Sequence, residues 1–210
     1  MPEPPASIGL AGAIGVYGGT FDPVHVGHVQ VAAEVRGSLG LAHVTFVPAH
    51  QSPLKGRPSA PITDRLEMVR LAVGGLSWAS VSEVEAERPP PSFTVETMRA
   101  LANRFPSERL ALIIGADALV EFADWREPGA ILGIATVIAI TRVGVPLVIS
   151  PRMRALAELH PGRLVLHRAS VSAVASRDIR ARVSRGESID GLVPVAVAEF
   201  VESMKLYRDG

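Results

Sequence analysis

The 210-residue chain contains no cysteine. Disulfides, thiolate-held metals and cysteine nucleophiles are therefore excluded together, and the absence fits a reducing, cytoplasmic setting. Neither sign of charge is in excess. Lys and Arg total 21 and Asp and Glu total 21, for a formal net charge of zero. No surface for nucleic acid or for an anionic membrane is advertised, although a local basic pocket is allowed. Long hydrophobic runs are missing too. The longest, AILGIATVIAI at 130–140, falls short of the roughly 18 residues a membrane span needs. It reads as a short helix end followed by a buried strand. The opening MPEPPASIGLAGAIGV is apolar and proline-rich but has no basic n-region, so it does not read as a secretory signal. Residues 1–10 are expected to be a flexible arm. There is no internal repeat.

What is present is an ordinary globular composition, 48% apolar and 20% charged, at a length that suits a single domain over 11–210. Short runs rich in β-branched residues predict strands at 13–17, 44–48, 81–84, 110–114, 136–140 and 163–166. Stretches of helical period predict helices at 26–39, 62–73, 92–104, 116–122, 151–160, 176–185 and 194–205. In the second of these, Ile62, Leu66, Val69 and Val73 share a face. Met68, Met98, Met153 and Met204 fall in helices and are expected in the core. Strands separated by helices predict an α/β fold with a doubly wound parallel sheet, its strand C-termini on the edge where ligands bind. The last two helices follow one another with no strand between them. They predict a small C-terminal helical appendage over about 174–210.

The chemistry concentrates in YGGTFDPVHVGH, residues 17–28. Gly18 and Gly19 end a strand and permit a sharp turn with close approach of a ligand. The helix that follows aims unpaired N–H groups and a partial positive charge at the same place. This predicts an anion site, yet neither the Walker spacing nor G-x-G-x-x-G is present. His25 and His28 stand three apart, one face of a helix, where imidazole can donate hydrogen bonds to a phosphate chain. Two other readings of the pair stay open: a surface pair beside a plain turn, and a zinc site that lacks a third ligand nearby. His43, His50, His160 and His167 show no metal spacing.

The stretch GGTFDPVHVGH resembles the signature of nucleotidyltransferases that carry the H-x-G-H motif. Further stretches are similar to those of bacterial nicotinate-nucleotide adenylyltransferases. They are VTFVPAHQSPLK (44–55), DRLEMVRLAV (64–73), PSFTVETM (91–98), IIGADALVEFADWRE (113–127) and LVPVAVAEFVESMKLY (192–207). The likeness runs over nearly the whole chain, from Gly15 to Tyr207. One departure stands out. The family's late phosphate motif, I-S-S-T-x-I-R, reads VASRDIR at 174–180. Ser176, Ile179 and Arg180 match, whereas Ala175 and Arg177 replace a serine and a threonine.

The resemblance implies a Rossmann-like fold. It also implies adenylyl transfer from ATP to nicotinate mononucleotide, with Mg²⁺ accompanying the nucleotide. On that reading His25, His28, Lys55 and Arg180 are the catalytic donors. Gly18, Gly19, Thr20, Phe21, Gly115, Asp117 and Ser176 serve ATP and its phosphates, with backbone amides from Gly19, Thr20 and Phe21. Ser176 is also expected to cap its helix. Ser92, Phe93, Thr94 and Trp125 serve the pyridine nucleotide, the helix start drawing its carboxylate and the indole its ring. Asp117 is equally readable as a helix N-cap, and Trp125 as core. No general base is needed, because the substrate's own phosphate is the nucleophile. No nucleic-acid or membrane partner is expected, and a homo-oligomer is left open. Two alternatives remain: an enzyme acting on phosphopantetheine, and a nucleotide-binding protein that has lost catalysis.

Overall fold

The computed structural model describes residues 9–53, 56–142, 149–169 and 174–208. Most of the expected N-terminal arm and the candidate Lys55 lie outside the described residues. The elements run β1 (Ile14–Gly19), α1 (Val26–Leu39), β2 (His43–Pro48), α2 (Ile62–Val73), β3 (Ala79–Val81), α3 (Thr94–Arg104) and β4 (Leu110–Gly115). They continue with α4 (Ala116–Glu121), a 3-10 turn (Phe122–Asp124), α5 (Pro128–Ile134), β5 (Ala135–Arg142), α6 (Pro151–Leu159), β6 (Leu164–Ala169), α7 (Ser176–Ser184) and α8 (Val195–Ser203). Every expected strand and helix has a counterpart.

The strands form one sheet in the order β3-β2-β1-β4-β5-β6. The order reverses direction after β1, as in doubly wound nucleotide-binding folds. β1 pairs with β4, β4 with β5 and β5 with β6, all parallel. Burial follows position in the sheet. In β4 and β5, Ala111, Ile113, Val137, Ile138 and Ala139 are sealed from solvent, the continuous apolar run of a strand covered on both faces. Edge strand β6 alternates instead, with Val165 buried and Leu166 at 47% exposure.

Three expectations need adjusting. β3 ends at Val81, because Arg88 donates to the Val84 carbonyl and the Glu87 amide to that of Glu83, closing a turn over 83–88. The stretch ahead of β5 is a full helix, α5, opened by Pro128, whose fixed φ suits the first helical position. Met68, Met98 and Met153 are buried as expected, but Met204 lies past the end of α8 and is half-exposed.

The described residues divide into two compact units. The first takes in 9–17, 34–44, 94–142 and 149–169, with β4 and β5 at its core and α3 packed on α5. Leu10 is only 3% exposed, and the Arg109 guanidinium donates to the carbonyls of Gly9 and Ala11. The second takes in 18–33, 45–53, 56–93 and 174–208. There α8 packs on α2, and Phe46, Met68, Val69, Ile179 and Val197 are fully buried.

Candidate active site

The second unit contains the glycine turn and both histidines. Gly19 has a steric reason to lack a side chain: a Cβ there would lie 2.9 Å from the Phe21 ring. Phe21 itself adopts φ +48°, rare for a bulky residue. This strained backbone drives its ring inward, where it is 2% exposed and lies 5.7 Å from Phe46. Gly18 meets no such neighbour and is open to solvent. Phe21, expected to offer a backbone amide, thus also plugs the underside of the turn.

The two imidazoles stack, with ring centroids 3.6 Å apart and planes inclined by 25°. His25 is buried at 6% exposure and immediately precedes α1, whereas His28 is half-buried within its first turn. The edge of Phe21 supports the His28 ring at 5.0 Å. The His25 backbone N–H donates to His28 Nδ1 at 3.2 Å. A ring nitrogen that accepts carries no proton, so in the neutral ring the proton sits on Nε2. His28 is thereby set to donate through Nε2, the role expected of it toward a phosphate.

Polar side chains then fasten the oxygen side of the turn. Ser176 Oγ donates to the Pro23 carbonyl at 2.9 Å, and Arg180 Nη1 to the Asp22 carbonyl at 2.6 Å. The Asp22 carboxylate, 4% exposed, accepts from the amides of Ser59 and Ala60 at 2.8 and 3.1 Å and from the Tyr207 hydroxyl at 2.8 Å. Arg65, on the apolar face of α2 and 1% exposed, donates to the carbonyls of Thr20, Ala49, His50 and Ala60. Burial lowers its pKa, and the charges of Asp22, Tyr207 and Glu85 oppose that shift. Asp22, Arg65 and Tyr207 were not singled out as functional by sequence. Two signals were available for them: an aspartate inside the motif, and an arginine on an otherwise apolar helix face.

The altered late motif is resolved in part. Ala175, not Ser176, is the N-cap of α7, and it makes no side-chain cap bond. The expected Ser176 cap is therefore corrected: Ser176 is the first helical residue, and its hydroxyl is spent on Pro23. Arg177 is 83% exposed and pairs with its neighbour Asp178 at 3.3 Å. In the same unit Ser92 Oγ accepts from the His50 amide, while the Ser92 amide donates to the Gln51 carbonyl. Gln51, Ser52, Pro53, Pro90 and Pro91 line an open cavity of about 320 Å³. Phe93 is half-buried just ahead of α3.

The first unit carries the remaining candidates. Gly115 is the N-cap of α4, so Asp117 is an exposed residue inside the helix rather than its cap. Thr94 is the first residue of α3. Trp125 follows the 3-10 turn, half-buried, its ring 5.1 Å from Phe122. Its indole N–H is buried with no partner among the described residues. Three ion pairs flank it: Arg152 with Asp124, Arg126 with Glu96 at 3.2 Å, and a bidentate fork from Arg99 to Glu127 at 2.6 and 3.3 Å. Among the described residues no three His, Asp or Glu side chains gather to hold a metal, and no helix is long and apolar enough to cross a membrane.

The cytidylyltransferase-like family model matches residues 16–182. The chain belongs to that family. A protein of Roseiflexus sp. (strain RS-1) named probable nicotinate-nucleotide adenylyltransferase is 41% identical over 199 residues, covering 93% of this chain and 98% of its own. A Thermus thermophilus protein of the same name is 38% identical over 195 residues, covering 93% and 99%. Among solved structures, Plasmodium falciparum nicotinic acid mononucleotide adenylyltransferase complexed with NaAD superposes with a TM-score of 0.74 at 15% identity, covering 94% of this chain and 98% of that one. A putative nicotinate-nucleotide adenylyltransferase from Vibrio parahaemolyticus gives 0.67 at 18% identity, covering 94% and 96%. These likenesses show that this family member has the Rossmann-like nucleotidyltransferase fold.

Proposed function

We infer that this cytidylyltransferase-like protein transfers the adenylyl group of ATP to nicotinate mononucleotide, giving nicotinate adenine dinucleotide and pyrophosphate. One observation carries the reading: identity of about 40% along nearly the full length of proteins named for this activity. The site is consistent with it. The acceptor phosphate is largely ionised near neutral pH and attacks the α-phosphorus without a protein base. The bond to the pyrophosphate oxygen breaks as the new P–O bond forms, and charge builds on the departing group. Donors held rigidly around that charge are what the reaction requires.

His28 offers Nε2–H, oriented by the His25 amide on its other nitrogen. Arg180, with N–H groups beyond the one given to Asp22, supplies a further donor beside the turn, while Ser176 commits its one hydroxyl proton to Pro23 and is assigned to the phosphates on the family resemblance. Lys55 is assigned to the phosphates on the family resemblance alone. Gly18, Gly19 and Thr20 line the turn on the ATP side, and Gly115 and Asp117 are assigned to the nucleoside. Ser92, Phe93, Thr94 and Trp125 are assigned to the pyridine nucleotide, and the unpartnered Trp125 N–H favours a polar ligand group at the indole. The groups fastened to the turn are mostly N–H donors and cations, suited to phosphate oxygens rather than to a bare cation. Mg²⁺ would therefore arrive with the triphosphate and be held by it and by water.

The test is pyrophosphate release from ATP and Mg²⁺ with nicotinate mononucleotide, its amide counterpart and phosphopantetheine in parallel. Release with the acid nucleotide is expected, and His28→Ala should lower kcat by about 10²–10³. Release with phosphopantetheine alone would replace the reading with the neighbouring activity. ATP binding without turnover of any acceptor would make the protein a binder.

A further inference from the structure

Tyr207 has no part in the chemistry described above. It follows α8 with a left-handed backbone, φ +62°. For a tyrosine that conformation is strained. Its hydroxyl lies 2.8 Å from Asp22 Oδ1. Asp22 is in turn the residue whose backbone carbonyl accepts from Arg180, and its Oδ2 lies 3.9 Å from the same Arg180 nitrogen. Both carboxylate oxygens are occupied: Oδ1 by Tyr207 and the Ala60 amide, Oδ2 by the Ser59 amide.

The pattern of donors and acceptors has a consequence. The turn's Thr20, Asp22 and Pro23 carbonyls and the Asp22 carboxylate all point at protein donors: Arg65, Arg180, Ser176 and Tyr207. A turn whose oxygens are drawn to one side presents less negative charge to an anion on the other. Its carboxylate would otherwise be a repulsive charge close in sequence to His25. Held as it is, the carboxylate serves as the counter-charge that orients Arg180.

We propose that Tyr207 and Asp22 form a positioning clasp that sets the phosphate turn and Arg180 for the triphosphate of ATP. Tyr207 touches no substrate in this scheme. It acts through Asp22, and the proposal rests on the adenylyl-transfer reading for the nucleotide bound and for the reaction assayed.

The experiment compares full-length wild type with Tyr207→Phe, which removes one oxygen and keeps the ring. ATP affinity with Mg²⁺ is measured by calorimetry, and KM is measured for each substrate. The clasp predicts a rise of about fivefold to tenfold in the ATP Kd and KM, as for loss of one charge-assisted hydrogen bond. The KM for nicotinate mononucleotide should hold, and the melting temperature should fall only by the few degrees that one lost hydrogen bond accounts for. Asp22→Asn should reproduce the selective ATP defect. Combining Tyr207→Phe with Arg180→Lys should cost less than the two defects summed. Wild-type ATP affinity in Tyr207→Phe would overturn the proposal. So would a drop in melting temperature with both KM values rising together, which marks a purely structural residue. The ATP-binding arm needs no acceptor. A wild type that binds ATP but ignores nicotinate mononucleotide would therefore sink the functional reading and leave the clasp testable.

Discussion

The phosphate turn and the Trp125 loop are both irregular segments carrying candidate ligand-binding groups, yet they are held by opposite means. The turn is fastened by buried polar groups: Asp22 at 4% and Arg65 at 1% exposure, each with several short hydrogen bonds. The Trp125 loop is fastened by ion pairs whose side chains are 40–73% exposed. A buried polar group is costly to leave unpaired, so such a network permits one arrangement and penalises every other. An exposed pair is screened by water and salt and penalises little. The contrast suits the two roles proposed for these segments. A triphosphate needs donors at fixed places, whereas a flat ring needs a surface that can adjust.

The largest effect expected from this contrast is at Arg65. Arg65→Met keeps the stem but strands four carbonyls and removes a buried cation whose charge Asp22 offsets. Losing one partner of a buried charge network costs on the order of 3–5 kcal/mol, and urea titration should read it as a lower midpoint at unchanged slope. A change under about 1 kcal/mol would show that water replaces the guanidinium, and that the turn is no more rigid than the loop.

A smaller effect is expected at alkaline pH. Burial, then the charge of Asp22 and its hydrogen bond, push the Tyr207 pKa far above its ordinary 10.0, while Arg180 and Arg65 pull the other way. In the unfolded chain the phenol ionises near its ordinary value. Above about pH 10 the unfolded state then binds fewer protons than the folded one, and stability falls as pH rises. Tyr207→Phe should remove this part of the decline, on top of a small pH-independent loss for the missing hydrogen bond. An identical alkaline slope in the two proteins would mean that the phenol ionises in the folded state as freely as in the unfolded one.

The same contrast explains what the sequence made legible. Strand and helix periods survive because burial imposes them, so the sheet was readable down to the turn that ends β1. His25 and His28 were readable because spacing alone puts them together. Their stacking was not, since it depends on His25 preceding the helix and on Phe21 turning inward. Asp22, Arg65 and Tyr207 were hidden for a different reason. Arg65 and Asp22 find mainly backbone carbonyls and amides, which any sequence supplies, and Tyr207 finds a carboxylate 185 positions away. The helix cap at α7 was misplaced by one residue because serine at 176 satisfies the usual preference. The hydroxyl instead found a carbonyl 153 positions away, a competitor that local reasoning does not contain.

The smallest effect concerns the loop. Arg99 and Glu127 form a planar fork, and hydrogen bonding to Arg99 lowers the Glu127 pKa. Glu127 also sits at φ +51°, a strained position ahead of α5 that the fork helps to hold. A carboxylate with a depressed folded pKa contributes stability above its unfolded pKa and loses it as pH falls through the folded value. Both side chains are exposed, so the contribution is small and screened. Arg99→Met should therefore weaken pyridine-nucleotide KM slightly at low salt and hardly at all at high salt, with ATP affinity unchanged. Exchanging the charges, with Arg99→Glu and Glu127→Arg together, should restore part of the loss. If Arg99→Met instead gave a large, salt-independent defect, the fork would be acting as the buried network does. Softness would then not be what distinguishes the tryptophan loop from the phosphate turn.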